Sequence, residues 1–487
     1  MPDQPDPEAR LPRDSAPLGR SAPLILAIAM FMEQMDSTII ATSLPAIAAD
    51  IETSPVALKL ALTAYLVSLA IFIPVSGWMA ERFGAKRVFR VAIGVFVLGS
   101  ICCAISGSLG AFVLSRFLQG MGGAMMTPVA RLVLVRATPK SQLVSAMAWL
   151  TIPALVGPLI GPPVGGFITT YFTWHWIFLI NVPIGIAGIY LAGRVLPEIE
   201  AGGGGSLDRK GFVLSAIAAS GIVFGLSVVS LPALPPIVGA ATIGVGILSA
   251  WLYVRHANRV ETPILNLKLF ANPVFRAAIL GGSFFRIGAG AVPFLLPLFF
   301  QLGFGMTPFQ SGMLTFASAG GAILLKFMAS AALRAGGFRN VLIAGALAGA
   351  AFIAINALFT AATPWPVIIA VLFASGFLRS LFLTSVNALV FADISEADAG
   401  QATALAAATQ QISIALGVAV AGGVLEAMAL LTGTALGIEA FVWAFVIVAG
   451  LTALAALPFV WLDPDAGNSV SGKPPVARST TPITPTP

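Results

Sequence analysis

Uninterrupted apolar stretches, each long enough to cross a bilayer, recur from one end of this chain to the other, and they constrain its fold more than any other feature. A hydrocarbon core ~30 Å thick takes ~20 helical residues at a rise of ~1.5 Å each. Fourteen such stretches can be read, at 22–46, 57–79, 88–107, 110–133, 142–169, 176–196, 211–230, 236–254, 275–300, 309–332, 339–360, 365–391, 402–427 and 439–462. They are continuous rather than alternating, which excludes a spanning β-barrel. Only 9% of the 487 residues are charged, against about 25% in soluble domains. An all-α polytopic membrane protein follows, and the first stretch reads as a retained helix rather than a cleaved leader.

The net charge of +6 would suggest nucleic acid in a soluble protein. Here its distribution gives a different account, because basic loops favour the cytoplasmic side. Arg10, Arg13 and Arg20 precede the first stretch; Arg82, Lys86, Arg87 and Arg90 follow the second; Arg131, Arg136 and Lys140 follow the fourth. Further basic residues follow the sixth, eighth and tenth stretches and occupy the C-terminal tail, whereas the opposite side carries only Lys59. Both termini are therefore expected in the cytoplasm. Cys102 and Cys103 are adjacent and read as buried thiols, since neighbours on a helix point apart. No His/Cys spacing fits a metal site.

The expected organisation is a disordered tail at 1–20, a six-helix bundle at 21–196, a linker with two extra crossings at 197–274, a second six-helix bundle at 275–463 and a disordered tail at 464–487. A faint repeat supports the paired sixes. Arg82-Phe83-Gly84-Ala85-Lys86-Arg87-Val88 follows the second stretch of one, and Ala335-Gly336-Gly337-Phe338-Arg339-Asn340-Val341 follows the second stretch of the other. Many secondary transporters are built from such repeats, with the substrate site between them.

Ionisable groups inside a span cost several kcal/mol unless paired or wetted, so each is a functional candidate. Glu33 and Asp36 lie three residues apart on one face of the first helix. At ~1.5 Å per residue, Asp36 is ~22 Å in from the cytoplasmic surface and Arg116 on the fourth helix is ~10 Å in from the other. Their depths match, so Arg116 is expected to hold the Asp36 carboxylate in a proton-coupling arrangement, with Glu33 as a second acid. In the other half Arg286 and Arg379 stand near midplane with Glu426, near the outer interface, as the one acid; that half of the cavity is expected to be cationic unless Glu33 or Asp36 reaches across. Lys326 is expected to snorkel towards the cytoplasm. Gln119 and Asn387 complete the candidate cavity residues. Gly157, Gly161 and Gly165 recur every fourth residue, which makes a smooth helix face for close packing, and the interspersed prolines soften that helix as a hinge.

These residues together resemble the major facilitator superfamily, in particular its fourteen-spanner drug:proton antiporter branch. Met35-Asp36-Ser37-Thr38 to Pro45 is similar to the branch signature on helix 1, and Arg116-Phe117-Leu118-Gln119-Gly120 to the helix 4 motif. Gly77-Trp78-Met79-Ala80-Glu81-Arg82-Phe83-Gly84-Ala85-Lys86 resembles the loop 2–3 motif, with Glu81 and Ala85 as departures. Gly157 to Gly166, including Gly161-Pro162 and Gly165-Gly166, matches the helix 5 antiporter motif, and Trp174 to Gly185 resembles the approach to helix 6. The resemblance implies a major facilitator fold of two six-helix bundles plus two central helices. It also implies proton-coupled export of amphipathic small molecules across a bacterial cytoplasmic membrane, with roles in coupling for Asp36 and Arg116. A carrier of the same fold dedicated to one anionic or lipid-like metabolite is the alternative. The partners are then substrate, protons and lipid, with a periplasmic adaptor left open; no cofactor, nucleotide-binding or catalytic motif is present, so neither an enzyme nor an ATP-driven pump is expected.

Overall fold

The computed structural model describes residues 21–138, 143–198, 206–229, 231, 234–325, 328–433 and 436–468. Expectations for 1–20, the glycine run at 202–205, Lys326 and 469–487 lie outside the described residues. Among those described, the elements are helices and turns, with no strand.

The long helices are α1 (Ser21–Ile39), α2 (Lys59–Phe83), α3 (Ala85–Ala104), α4 (Leu109–Ala137), α5 (Leu143–Tyr171), α6 (Asn181–Val195), α7 (Arg209–Val229), α8 (Pro236–Ala257), α9 (Pro273–Leu298), α10 (Pro308–Leu325), α11 (Ala329–Ile355), α12 (Trp365–Leu389), α13 (Ala399–Thr432) and α14 (Ile438–Ala453). A tight turn, Ile40–Ser43, carries α1 on into a short helix, Leu44–Asp50. Among the described residues, 12 helices are long and apolar enough to cross a membrane. The expected fifth and tenth crossings correspond to the other two, α5 and α10.

The break between the tenth and eleventh crossings falls at Gly337, between the limits expected from sequence. Residues 329–332 lie before the reversal at Gly337, as expected for the end of the tenth crossing, so α11 as bounded here joins the last turns of that crossing to the eleventh. Gly337 has φ 72° and Gly84, at the turn between α2 and α3, has φ 85°. Residues with a Cβ rarely adopt this region, so glycine is the residue that lets the chain reverse there. Both glycines occupy the same place in their six-helix sets, which makes the faint repeat a repeat of backbone conformation.

Three apolar cores organise the molecule. The Arg136–Glu81 and Lys86–Glu198 pairs and the packing of Val75 on Tyr253 and Ile264 bring the basic segments after α2, α4, α6 and α8 to one face, here the basic face. In the half nearest that face, α1 to α6 pack around Phe89, Phe96 and Leu134, and α9, α11, α12, α13 and the segment after α14 pack separately around Phe275, Phe338 and Phe382. In the other half a single core joins both sets, running from Ile40, Leu44 and Phe178 to Phe299, Leu425 and Phe445. The bundles are thus fused at the face opposite the basic loops and distinct towards the basic face.

The two central helices pack on each other through glycines: a Cβ built on Gly221 would lie 2.7 Å from Gly246 Cα. Val223 of α7 packs with Val67 and Ile71 of α2 and Ala415 of α13, so α7 lies over the line where the two bundles meet. On the basic side Asp208 ties this pair to the following loop. It accepts hydrogen bonds from the Gly211 and Ile264 amides at 2.8 and 3.3 Å and pairs with His256 Nε2 at 2.7 Å. Burial works to raise its pKa, but these partners outweigh it and hold the carboxyl below the ordinary range.

Candidate functional site

Asp36 is fully buried, and three donors from two other helices, α4 and α6, converge on it. Arg116 Nη1 donates to its Oδ2 at 2.7 Å. Gln119 Nε2 and Asn181 Nδ2 each donate to its Oδ1 at 2.8 Å. Gln119 Nε2 also donates to Ser100 Oγ at 2.8 Å, and Arg116 donates to Gln119 Oε1. The Arg116 guanidinium stands over the Tyr65 ring, 4.2 Å from its centroid, a favourable placement for a desolvated cation.

The depth argument thus places the two groups correctly, and the reason is plain. α1 and α4 run antiparallel, so a fixed rise per residue brings residue 36 and residue 116 to one level. Every hydrogen bond on Asp36 is donated to it, so a protonated acid would have to give up one of these partners. An ion pair this deep is strong only while its geometry is complete, and a change of helix packing alters its energy by several kcal/mol. Such a pair can couple a proton to a conformational change.

Glu33 is buried one turn earlier and accepts from Thr127 Oγ1 at 2.6 Å. It does not reach the arginines of the second bundle, and neither does Asp36. The two arginines of the second bundle bond to neutral oxygens instead. Arg286 Nη2 donates to Asn387 Oδ1 at 2.6 Å, and Arg379 Nη2 to Ser318 Oγ at 3.0 Å. Among the described residues no carboxylate lies within salt-bridge distance of either.

A cavity of about 400 Å³ lies between the bundles, with Thr38 and Pro162 on one wall and Arg379, Ser380, Thr384 and Asn387 on the other. Arg286 reaches this wall through Asn387. Gln119 does not line the cavity. It holds Asp36 instead, and this departs from its expected place among the cavity residues.

The glycines of α5 act as the spacing predicts. A Cβ at Gly161 would meet Thr38 Oγ1 at 2.2 Å, and one at Gly165 would meet Ile39 O at 2.3 Å. These close contacts seat α5 on α1, the helix that carries Asp36. Gly166 faces the other bundle, where a Cβ would lie 2.4 Å from Pro308 O; Gly312 of α10 makes the reciprocal approach, 2.4 Å from Pro162 O. Gly157 is also close-packed, 3.0 Å from Met35 N. The glycine-rich run of α5 is therefore both the α1–α5 seam and part of the contact between the bundles.

The loop 2–3 motif lies on the basic face. Glu81 accepts from Arg136 Nη2 at 3.3 Å, and Lys86 pairs with Glu198 at 3.1 Å. Gly77 has open space where a Cβ would stand, and among the described residues the exposed Arg82 makes no ion pair.

Sequence reasoning missed three members of the site. Asn181 and Ser100 are single polar residues in apolar helices, and such isolation was the available signal. The third is the pair of Lys59 and Glu426, buried and joined across the bundles at the fused end. Gly422 makes room for it, since a Cβ there would strike Lys59 Cδ at 2.4 Å.

Two repeated bundles around a central cavity, with buried charges on the helices that frame it, define the architecture of a secondary transporter. The family model of the Major Facilitator Superfamily matches residues 26–254 and 278–486, and the chain belongs to that superfamily. It is 35% identical over 445 residues to the "Putative multidrug resistance protein MdtD" of Pectobacterium atrosepticum, covering 91% of this chain and 95% of that one. It is 38% identical over 402 residues to the "Probable transport protein HsrA" of Haemophilus influenzae, covering 82% and 87%. Among solved structures it resembles a D-xylose–proton symporter (TM-score 0.65, 16% identity, 92% of this chain and 98% of that one). The peptide-transporter-family protein PepTSo is similarly close (TM-score 0.67, 15% identity, 91% and 97%). At such identities these two speak for the fold alone.

Proposed function

We propose that this protein is a proton-coupled antiporter that exports amphipathic small molecules from the cytoplasm by alternating access. The observation that carries the reading is the buried Asp36, held by Arg116, Gln119 and Asn181 on the helix that α5 grips through its glycines. The names of the relatives, multidrug resistance and transport proteins, agree with export.

On this reading the basic face is cytoplasmic, both termini lie there, and all of α1 to α14 cross a bacterial cytoplasmic membrane as two six-helix bundles joined by α7 and α8. The conformation described is the cytoplasm-facing one, because the shared core, the Gly166 and Gly312 contacts and the Lys59–Glu426 pair all lie at the other face. Cargo entering the cavity favours loss of a proton from Asp36 or Glu33. Reprotonation from outside, after the bundles rock, weakens the hold of Arg116 and resets the carrier.

The test is gradient-driven efflux of a fluorescent amphiphile from proteoliposomes. Asp36→Asn is expected to abolish accumulation against a gradient while leaving passive counterflow. Undiminished uphill efflux would remove Asp36 from coupling.

A further inference from the structure

We propose that the central cavity is built for amphipathic anions, with a carboxylate or sulfonate head seated at Arg379, the charge of Arg286 behind Asn387 adding to its hold, and an apolar body against the proline-rich walls. The inference rests on the transporter reading and names the substrate class of that same cavity.

The argument is one of charge balance. Asp36 is taken up by Arg116, and Glu426 by Lys59. Glu33 accepts from Thr127 on the other side of the molecule from the arginines. Every carboxylate described deep in the helices thus has its partner elsewhere, and the second bundle keeps two guanidinium groups whose hydrogen bonds go to neutral oxygens, Ser318 Oγ and Asn387 Oδ1. A cation removed from water without a counter-charge is costly. Each guanidinium carries five donors and has one hydrogen bond among the described residues, which leaves donors for a further acceptor.

The geometry fits one kind of guest. Arg379 and Asn387 lie two turns apart on one face of α12, and that face lines the cavity. The planar fork of arginine matches the two oxygens of a carboxylate or sulfonate. Around them, Pro293, Leu296, Pro297 and Leu383 supply apolar wall. No lining residue is acidic. The volume of about 400 Å³ suits a drug-sized molecule. A cationic amphiphile would meet the like charge of Arg379, backed by Arg286, and no partner; an anionic one supplies the missing counter-ion.

The test is equilibrium binding to purified protein without any gradient. Tritiated 1-naphthaleneacetate is competed by unlabelled 1-naphthaleneacetate, 1-naphthaleneacetamide and (1-naphthylmethyl)trimethylammonium. The acid should compete about tenfold or more better than the amide, and the ammonium worst, with the preference shrinking as salt rises. Arg379→Gln should cut the acid-over-amide preference to about threefold or less, and Arg379→Lys should keep part of it. Retained amide binding in each variant certifies a folded cavity. If amide or ammonium competes as well as the acid, or if Arg379→Gln and Arg286→Gln both leave the acid's affinity unchanged, the assignment is overturned. Efflux is scored separately: an acid that binds selectively but is not exported sinks the transporter reading and leaves the site assignment standing.

Discussion

Replacing Gly166 by alanine tests the two-bundle account at one methyl group. A Cβ there would lie 2.4 Å from Pro308 O and 2.8 Å from Phe309 Cα, both backbone atoms of the other bundle. Ordinary contact begins at 3.4 Å, so the backbones must part by about 1 Å, an overpacking that costs about 1–3 kcal/mol. The contact exists only while the two bundles are fused at this end. The cost therefore falls on this conformation and not on the alternative one, a bias of about 5- to 150-fold in their ratio. Spin labels at the exposed positions Phe172 and Leu358 report the fused end, and labels at Phe83 and Phe391 report the basic face. In Gly166→Ala the first distance should lengthen and the second shorten, as measured by double electron–electron resonance. Gly165→Ala is the matched control. Its Cβ strikes Ile39 O at 2.3 Å, but within one bundle, so it should lower thermal stability and leave the ratio of conformations alone. Unchanged distances in Gly166→Ala, or an equal shift in Gly165→Ala, would refute the assignment of this seam as the seal.

Other perturbations follow from the same geometry. Removing either member of the Lys59–Glu426 pair strands a buried charge, so Lys59→Met and Glu426→Gln should each destabilise the fused end by about 3–5 kcal/mol. The double variant Lys59→Met/Glu426→Met should recover most of the melting temperature, and a double variant as unstable as the two losses added would contradict the pairing. Asp208→Asn should speed hydrogen exchange at the Ile264 amide about tenfold at neutral pH, as expected for loss of about 1.5 kcal/mol of charge-assisted bonding. Because the Asp208 carboxyl is held below its ordinary value, its contribution is present above an unfolded pKa of about 3.9 and fades as pH falls through the lower folded value. Wild-type protection at Ile264 should accordingly persist at pH 5 and weaken only in stronger acid; loss already at pH 5 would be inconsistent with this.

What the sequence reveals and what it conceals divide along a physical line. Residue 36 and residue 116 could be brought together because helix rise and antiparallel direction fix depth within a bilayer. The same arithmetic applies to Lys59 and Glu426, which both lie near the end away from the basic loops. Their pairing still required knowing which helices of the two bundles face each other, and depth carries no such information. Asn181 and Ser100 were hidden for a related reason: a rotation about the helix axis, not a depth, brings Asn181 to Asp36 and Ser100 to the amides of Gln119 and Asn181. Gln119 shows the converse error. It lies one turn from Arg116 and so faces the same neighbour, which makes it a partner of Asp36 rather than a cavity residue. The glycine spacing of α5 was legible because close helix approach has few sequence solutions. The seat of α7 over the inter-bundle line was not, since lipid and apolar protein ask for the same side chains.

The central claim is that an acid on α1 gives up a proton when cargo binds. Proton release from detergent-solubilised protein in weakly buffered solution measures this directly when a saturating amphiphile is added. The account predicts release by the wild type, near one proton per molecule bound if a single acid titrates, and none from Asp36→Asn under conditions where that variant still binds cargo. Equal release from the wild type and from Asp36→Asn would contradict it.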